Sequence, residues 1–142
     1  MKTLFENRKI KFKYTILESW IAGVELMGSE VKNIKSKNSN LVGAWCELKN
    51  LECICHDWHI KESESSYSHL DKRDKRLLLN KKELLKISKM MVEGTTIVPV
   101  SVLLSDNGLI KLKIALVKGK TKYDKRNTIK QRDLDREQIE YK

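Results

Sequence analysis

The sequence predicts a mainly β protein, a small closed antiparallel barrel with short helices and a flexible basic C-terminal tail. Three observations carry that expectation. Alternating apolar residues flank a turn at Asn107-Gly108, a second hairpin is written over residues 42 to 60, and the last segment, from Lys118 onward, holds too few apolar residues to build a core. Residues 1 to 122 are expected to form the folded domain and residues 123 to 142 the tail.

Residues 12 to 26, FKYTILESWIAGVEL, are rich in β-branched and aromatic residues and predict one long strand, bulged or bent at Gly23. SEVKNIKSK predicts a short helix, with Ser29 as N-cap and Val31 and Ile34 at i,i+3. The hairpin over residues 42 to 60 should turn near Lys49, Asn50 and Leu51, although Leu51 is an awkward turn residue. Residues 61 to 75, KESESSYSHLDKRDK, are polar and unpatterned and read as a mobile surface loop.

A short strand, RLLL at 76 to 79, leads into NKKELLKISKMMVEG. Asn80 and Glu83 there form a capping box, Leu84, Leu85, Ser88, Met91 and Val92 share a face, and Gly94 stops the helix. Residues 95 to 117 predict the hairpin that turns at Asn107-Gly108. On its return strand Ile110, Leu112, Ile114 and Leu116 should face the core while the other side carries Lys111 and Lys113 outward.

The charge is strongly basic and unevenly spread. The 29 Lys and Arg exceed the 19 Asp and Glu by ten, yet residues 14 to 71 are mildly acidic. The excess sits in residues 1 to 13, 72 to 90 and 118 to 142, a pattern that points to a polyanion touched at several places. No apolar run approaches the roughly 18 residues of a membrane span. The start, MKTLFENRKIKFKY, lacks the apolar stretch of a secretory signal, so a cytoplasmic protein with no membrane partner is expected. Three cysteines, an odd number without framework spacing, fit a reducing compartment.

CICHDWH, residues 53 to 59, is the obvious place to look for a metal. Alternation on a strand puts Cys53, Cys55, Asp57 and His59 on one side and Ile54, His56 and Trp58 on the other, so four ligands do not converge locally. Cys46 falls opposite Cys55 if the hairpin turns at Asn50-Leu51, which makes the thiols small apolar core residues rather than zinc ligands. No metal site, cofactor or catalytic residue is expected: His56, His59 and His69 sit in no catalytic motif, and Gly119 stands alone among lysines. Tyr14 behind NRKIKFK and Tyr123 inside the lysine-rich tail are instead placed to stack on unpaired bases while Lys and Arg neutralise phosphates. TIKQ, with Thr128 and Gln131 as a capping box, permits a tail helix. Its Ile129, Leu134 and Ile139 form no continuous stripe, so that helix should fold only on a partner.

NRK at 7 to 9, Tyr14, GSEVKNIK at 28 to 35, RLLLNKKEL at 76 to 84, GTTIVPV at 94 to 100 and IALVKGKTKYDKRNTIKQRD at 114 to 133 resemble, in order, the SmpB family of SsrA-binding proteins. The resemblance implies an oligonucleotide-binding-type barrel that binds the tRNA-like domain of tmRNA. It also implies a tail, disordered when free, that becomes helical in the mRNA channel of a stalled ribosome. The partners so implied are tmRNA, the decoding region and mRNA channel of the small ribosomal subunit, and elongation factor Tu indirectly through alanyl-tmRNA. Matched position by position, Asn7, Tyr14 and Leu78 belong to the tmRNA-binding surface, with Arg8, Lys9 and Lys32 as phosphate contacts. Lys118, Lys120, Tyr123, Asp124, Lys125 and Arg126 belong to the stretch that meets the decoding centre.

The sequence departs from the family pattern at several places. Ile21 replaces an acidic residue, Trp45 a tyrosine and Leu51 the hairpin glycine, while NIKSKNSN replaces the usual segment after EVK and the tail is somewhat short. These departures imply a diverged member. Two other readings stay open from sequence: a generic barrel-plus-tail RNA binder, such as a ribosome-assembly protein, and a zinc enzyme built on CICHDWH.

Overall fold

The computed structural model describes residues 1–62 and 70–119. In chain order the elements are β1 (Lys2–Glu6), α1 (Lys9–Lys13), β2 (Tyr14–Val24), α2 (Gly28–Lys35), β3 (Ser39–Asn40), β4 (Trp45–Lys49) and β5 (Glu52–His56). They continue with β6 (His59–Ile60), β7 (Lys75–Leu78), α3 (Lys81–Met90), β8 (Thr95–Leu104) and β9 (Ile110–Gly119). All pairings are antiparallel, and the main sheet runs β1-β8-β4-β5-β7-β2-β9. Because β8 also pairs with β9, six of these strands form a ring, with β1 as an extra neighbour of β8. The protein is mainly β, as the sequence predicts.

β8 serves three neighbours by dividing its length. It runs beside β9 from Thr95 to Leu104, meets β4 at Ile97–Cys46, and gives Ser101 to Leu104 to β1. The register shifts between Pro99 and Ser101, which is where a residue without an N–H donor is tolerated in a strand.

Inside the ring Trp20, Ala22, Cys46, Cys53, Cys55, Leu77, Ile97, Leu112, Ile114 and Leu116 pack with Trp58 and Ile60, and α2 and α3 add Ile34 and Ile87. A second, smaller cluster lies on the outer face of β8 and β9, where Val98, Val100, Ala115 and Val117 are covered by Ile10 of α1 and by Tyr14. β9 is therefore lysine-bearing on its outer side only at Lys111 and Lys113. Past them that side is roofed by α1, which corrects the expectation of one outward lysine face.

The capping box of α3 is present as written: Glu83 N–H donates to Asn80 Oδ1 at 2.8 Å and Asn80 N–H to Glu83 Oε1 at 3.1 Å. Its packed face is Leu84, Ile87, Met90 and Met91, whereas Leu85 and Val92 are exposed. Gly94 has φ +86° in the turn that follows the helix. The Asn107-Gly108 turn and the β4–β5 hairpin both fall where expected. Asn50 and Leu51 take φ of 52° and 58°, so Leu51 accepts a left-handed conformation that its side chain disfavours.

Four further expectations are corrected. The long strand begins at Tyr14 because α1 takes up Phe12 and Lys13, and its irregularity falls between Ile16 and Glu18 rather than at Gly23. Gly23 instead allows close approach: a Cβ there would lie 3.2 Å from Leu78 Cβ. α2 starts at Gly28 with Met27 as N-cap, whose N–H donates to Glu30 Oε1 at 2.8 Å, in place of Ser29. Lys75, expected in the surface loop, is fully buried and donates to the Trp58 carbonyl at 2.6 Å.

Candidate nucleic-acid interface

α1 is only five residues long, too short to persist by itself, and it is fixed at both ends. Before it, Asn7 N–H donates to the Val100 carbonyl at 2.8 Å and Asn7 Oδ1 accepts from Lys9 N–H at 3.2 Å. The Asn7 amide also reaches the Leu41 carbonyl at 3.5 Å. Ile10 then anchors the helix to the outer cluster. With that one apolar anchor inward, Lys9, Lys11 and Lys13 are left exposed.

A cleft of about 250 Å³ lies beside α1. Asn7, Lys9, Lys13 and Tyr14 line it from the α1–β2 side, Val42 to Trp45 from the approach to β4, and Thr96 and Val98 from β8. Three of the sequence-predicted contacts, Asn7, Lys9 and Tyr14, are thus brought together. Arg8 is nearly free in solvent beside Glu6, 3.6 Å away. Lys118 sits across from Thr15 and Thr95, next to the Tyr14–Gly119 pair, so this residue expected to face the ribosome adjoins the cleft.

Leu78 and Lys32 are not part of this cleft. Leu78 lines a separate groove with Gly23, Val31, Leu109 and Lys111, and Lys32 follows Val31 on α2. Tyr14 and Gly23 mark the two places on one strand, about 30 Å apart at some 3.3 Å per residue. Between them Ile21 and Lys113 pair across β2 and β9, which leaves an exposed apolar side chain beside a lysine. Lys120, Tyr123, Asp124, Lys125 and Arg126 lie outside the described residues, as do the tail helix and His69.

Two residues of the cleft were missed as site residues. Lys13 was hidden in the general basicity of the N-terminal arm, and Trp45 registered only as a departure from a tyrosine pattern. Trp45 pairs with His56 across β4 and β5, and their rings stack with centroids 4.5 Å apart and planes at 27°. His56 bridges two carboxylates, Asp74 at 2.9 Å and Glu47 at 3.0 Å.

Burial pulls the His56 pKa down, but the hydrogen bonds to Asp74 and Glu47 outweigh it and leave His56 above the ordinary histidine value. A raised folded pKa means stabilisation that is complete below the unfolded value of about 6.5 and is lost as pH rises through the folded pKa. His56→Gln should therefore lower the urea midpoint at pH 5.5 and leave it nearly unchanged at pH 9, by less than about 1 kcal/mol for so exposed a network. Equal losses at both pH values would contradict this.

The three thiols behave as core residues. Cys46, directly across from Cys55, is held well above the ordinary thiol range by hydrogen bonds with Cys53 and Cys55 and by burial, so it stays protonated. The strict alternation expected through residues 53 to 59 fails at Asp57, whose φ is +59°. That turn swings Trp58 and Ile60 into the core beside Cys53 and Cys55, and leaves His59 paired with Asp71. Among the described residues no group of three or more His, Cys, Asp or Glu side chains is arranged to hold a metal ion.

Ammonium groups beside exposed ring faces, fixed on a β ring, are the equipment of a nucleic-acid-binding protein. The family model for SmpB protein matches residues 4–141, and the chain belongs to that family. Among curated relatives, the SsrA-binding protein of Wolbachia sp. subsp. Drosophila simulans (strain wRi) is 46% identical over 140 residues, covering 96% of this chain and 94% of its own. That of Wolbachia sp. subsp. Brugia malayi (strain TRS) is 46% identical over 139 residues, covering 96% and 93%. Among solved structures, a chain described under "tmRNA-SmpB: a journey to the center of the bacterial ribosome" superposes with a TM-score of 0.69 at 29% identity, over 88% of this chain and 93% of that one.

Proposed function

We propose that this protein binds tmRNA, the SsrA RNA, and brings it to stalled ribosomes in trans-translation. The observation that carries the reading is the α1–β2 cleft, which gathers Asn7, Lys9, Lys13 and Tyr14 in a chain whose relatives are SsrA-binding proteins. On this reading the six-stranded ring is the closed oligonucleotide-binding-type barrel, and its outer face holds the tRNA-like domain. Arg8, Lys9 and Lys32 neutralise phosphates, Tyr14 offers a ring, and Leu78 packs at the far groove. Asn7 acts by fixing the orientation of α1, since both polar ends of its side chain are engaged within the protein.

Lys118, Lys120 and the Tyr123 to Arg126 run are assigned to the decoding region, with residues 123 to 142 as a limb separate from the RNA-binding domain of residues 1 to 122. The protein works as a cytoplasmic binding factor rather than a catalyst: peptide transfer belongs to the ribosome, and elongation factor Tu is met only through alanyl-tmRNA.

A gel-shift competition at fixed salt between the tRNA-like domain of tmRNA and an unrelated tRNA tests the reading. The tmRNA domain should win by well over tenfold, and affinity should fall steeply with salt as released counterions are replaced. Equal affinity for the two RNAs would mean a generic RNA binder and would sink the specific assignment.

A further inference from the structure

Trp45 stands apart from the other two tryptophans of the chain. Trp20 and Trp58 belong to the core, while Trp45 is 42% exposed. Lone exposed apolar residues are ordinary on protein surfaces, but this ring is not loose. Its Nε1–H donates to Asp57 Oδ2 at 3.3 Å, and the left-handed turn at Asp57 is what brings that carboxylate back toward β4. Beneath it lies the His56 ring, itself pinned between Glu47 and Asp74. One face of the indole is thus backed and its edge is tethered, so little freedom remains to be lost when a partner covers it. It also lines the cleft that holds Lys9, Lys13 and Tyr14.

We propose that Trp45, seated on His56, is a preformed stacking platform for an unpaired base of the bound RNA, next to phosphates held by Lys9 and Lys13. This rests on the RNA-binding reading above and adds to it a site for a splayed-out base. Stacking tolerates any base because every base has a π-face, so the platform contributes affinity and position rather than sequence choice. His56 supports the indole from below and acts as a positioning residue.

The test uses the full chain with the tRNA-like domain of tmRNA and, separately, a single-stranded oligouridine. Trp45→Ala should weaken binding of the tRNA-like domain roughly 5- to 100-fold, the range expected for one stacked base, while Trp45→Phe keeps a ring and stays within a few-fold of the natural protein. Saturating RNA should also shield the exposed tryptophan from acrylamide quenching in the unsubstituted chain, a readout that needs no variant to fold. Unchanged affinity in Trp45→Ala, or full quenching in the saturated complex, overturns the platform. Failure of the function reading has a different signature: the tRNA-like domain loses its preference over an unrelated tRNA while oligouridine still shields Trp45.

Discussion

A chain ending at Arg126 should bind the tRNA-like domain of tmRNA almost as tightly as the full-length protein, yet fail to support tagging on stalled ribosomes. Residues 127 to 142 hold four basic side chains, Lys130, Arg132, Arg136 and Lys142, and four acidic ones, Asp133, Asp135, Glu137 and Glu140. Their removal leaves the formal charge of +10 as it was, so the long-range attraction that draws a polyanion in is untouched. The cleft at α1 and the groove at Leu78 are both built from residues ahead of the cut. What the deletion takes away is a segment of alternating charge assigned to the ribosome. Filter binding should report a change of no more than about threefold, less than one lost phosphate contact costs across a change of salt, while tagging in a reconstituted translation system disappears. Loss of binding to free tmRNA on truncation would refute the division into two surfaces.

Glu30→Ala should be the most damaging single substitution to stability among the charged residues described. Glu30 is 0% exposed, accepts from Arg73 Nη2 at 2.6 Å and Nε at 3.3 Å, and caps α2 through the Met27 N–H. Removing the carboxylate leaves the Met27 N–H without its acceptor and takes the anionic partner from the Arg73 guanidinium, which keeps the Asp74 and Glu25 carbonyls, a loss of about 3 to 5 kcal/mol by analogy with other broken buried pairs. For a domain of this size that lowers the melting temperature by roughly 10 to 15 °C. A thermal melt showing Glu30→Ala within 1 °C of the natural chain would mean that water replaces the Glu30 carboxylate freely. Since α2 carries Lys32, the same substitution should also disturb the side of that helix proposed to meet RNA.

These two sites show what the sequence makes legible. Asn80 and Glu83 declare the start of α3 because both halves of a capping box are local, and Asn107-Gly108 declares its turn for the same reason. The pairing of Cys46 with Cys55 followed from placing one turn. What local pattern cannot carry is tertiary. Lys75 sits in a polar stretch, yet the Trp58 carbonyl and a ring 5.6 Å away draw it inside. Asp57 breaks a two-residue alternation with a single left-handed φ and so moves Trp58 across the sheet. α1 needed Ile10 to find Val98 and Val117, residues about a hundred positions away, before five residues could count as a helix. The site suffers the same limit, because Trp45 becomes interesting only once His56 and Asp57 are seen around it.

The ring also sets an order of events at birth. β9 is the strand that joins β8 to β2, pairing residues 14 to 23 with residues 111 to 119, and it is the last made of the described strands. Until it emerges, the long edge of β2 has no partner and the β8–β9 seam does not exist. A nascent chain cut short before Ile110 would therefore carry two unpaired strand edges, the form in which β proteins adhere to one another. Emergence of β9 is thus the condition for covering those edges, and an unfinished copy is itself a product in need of disposal.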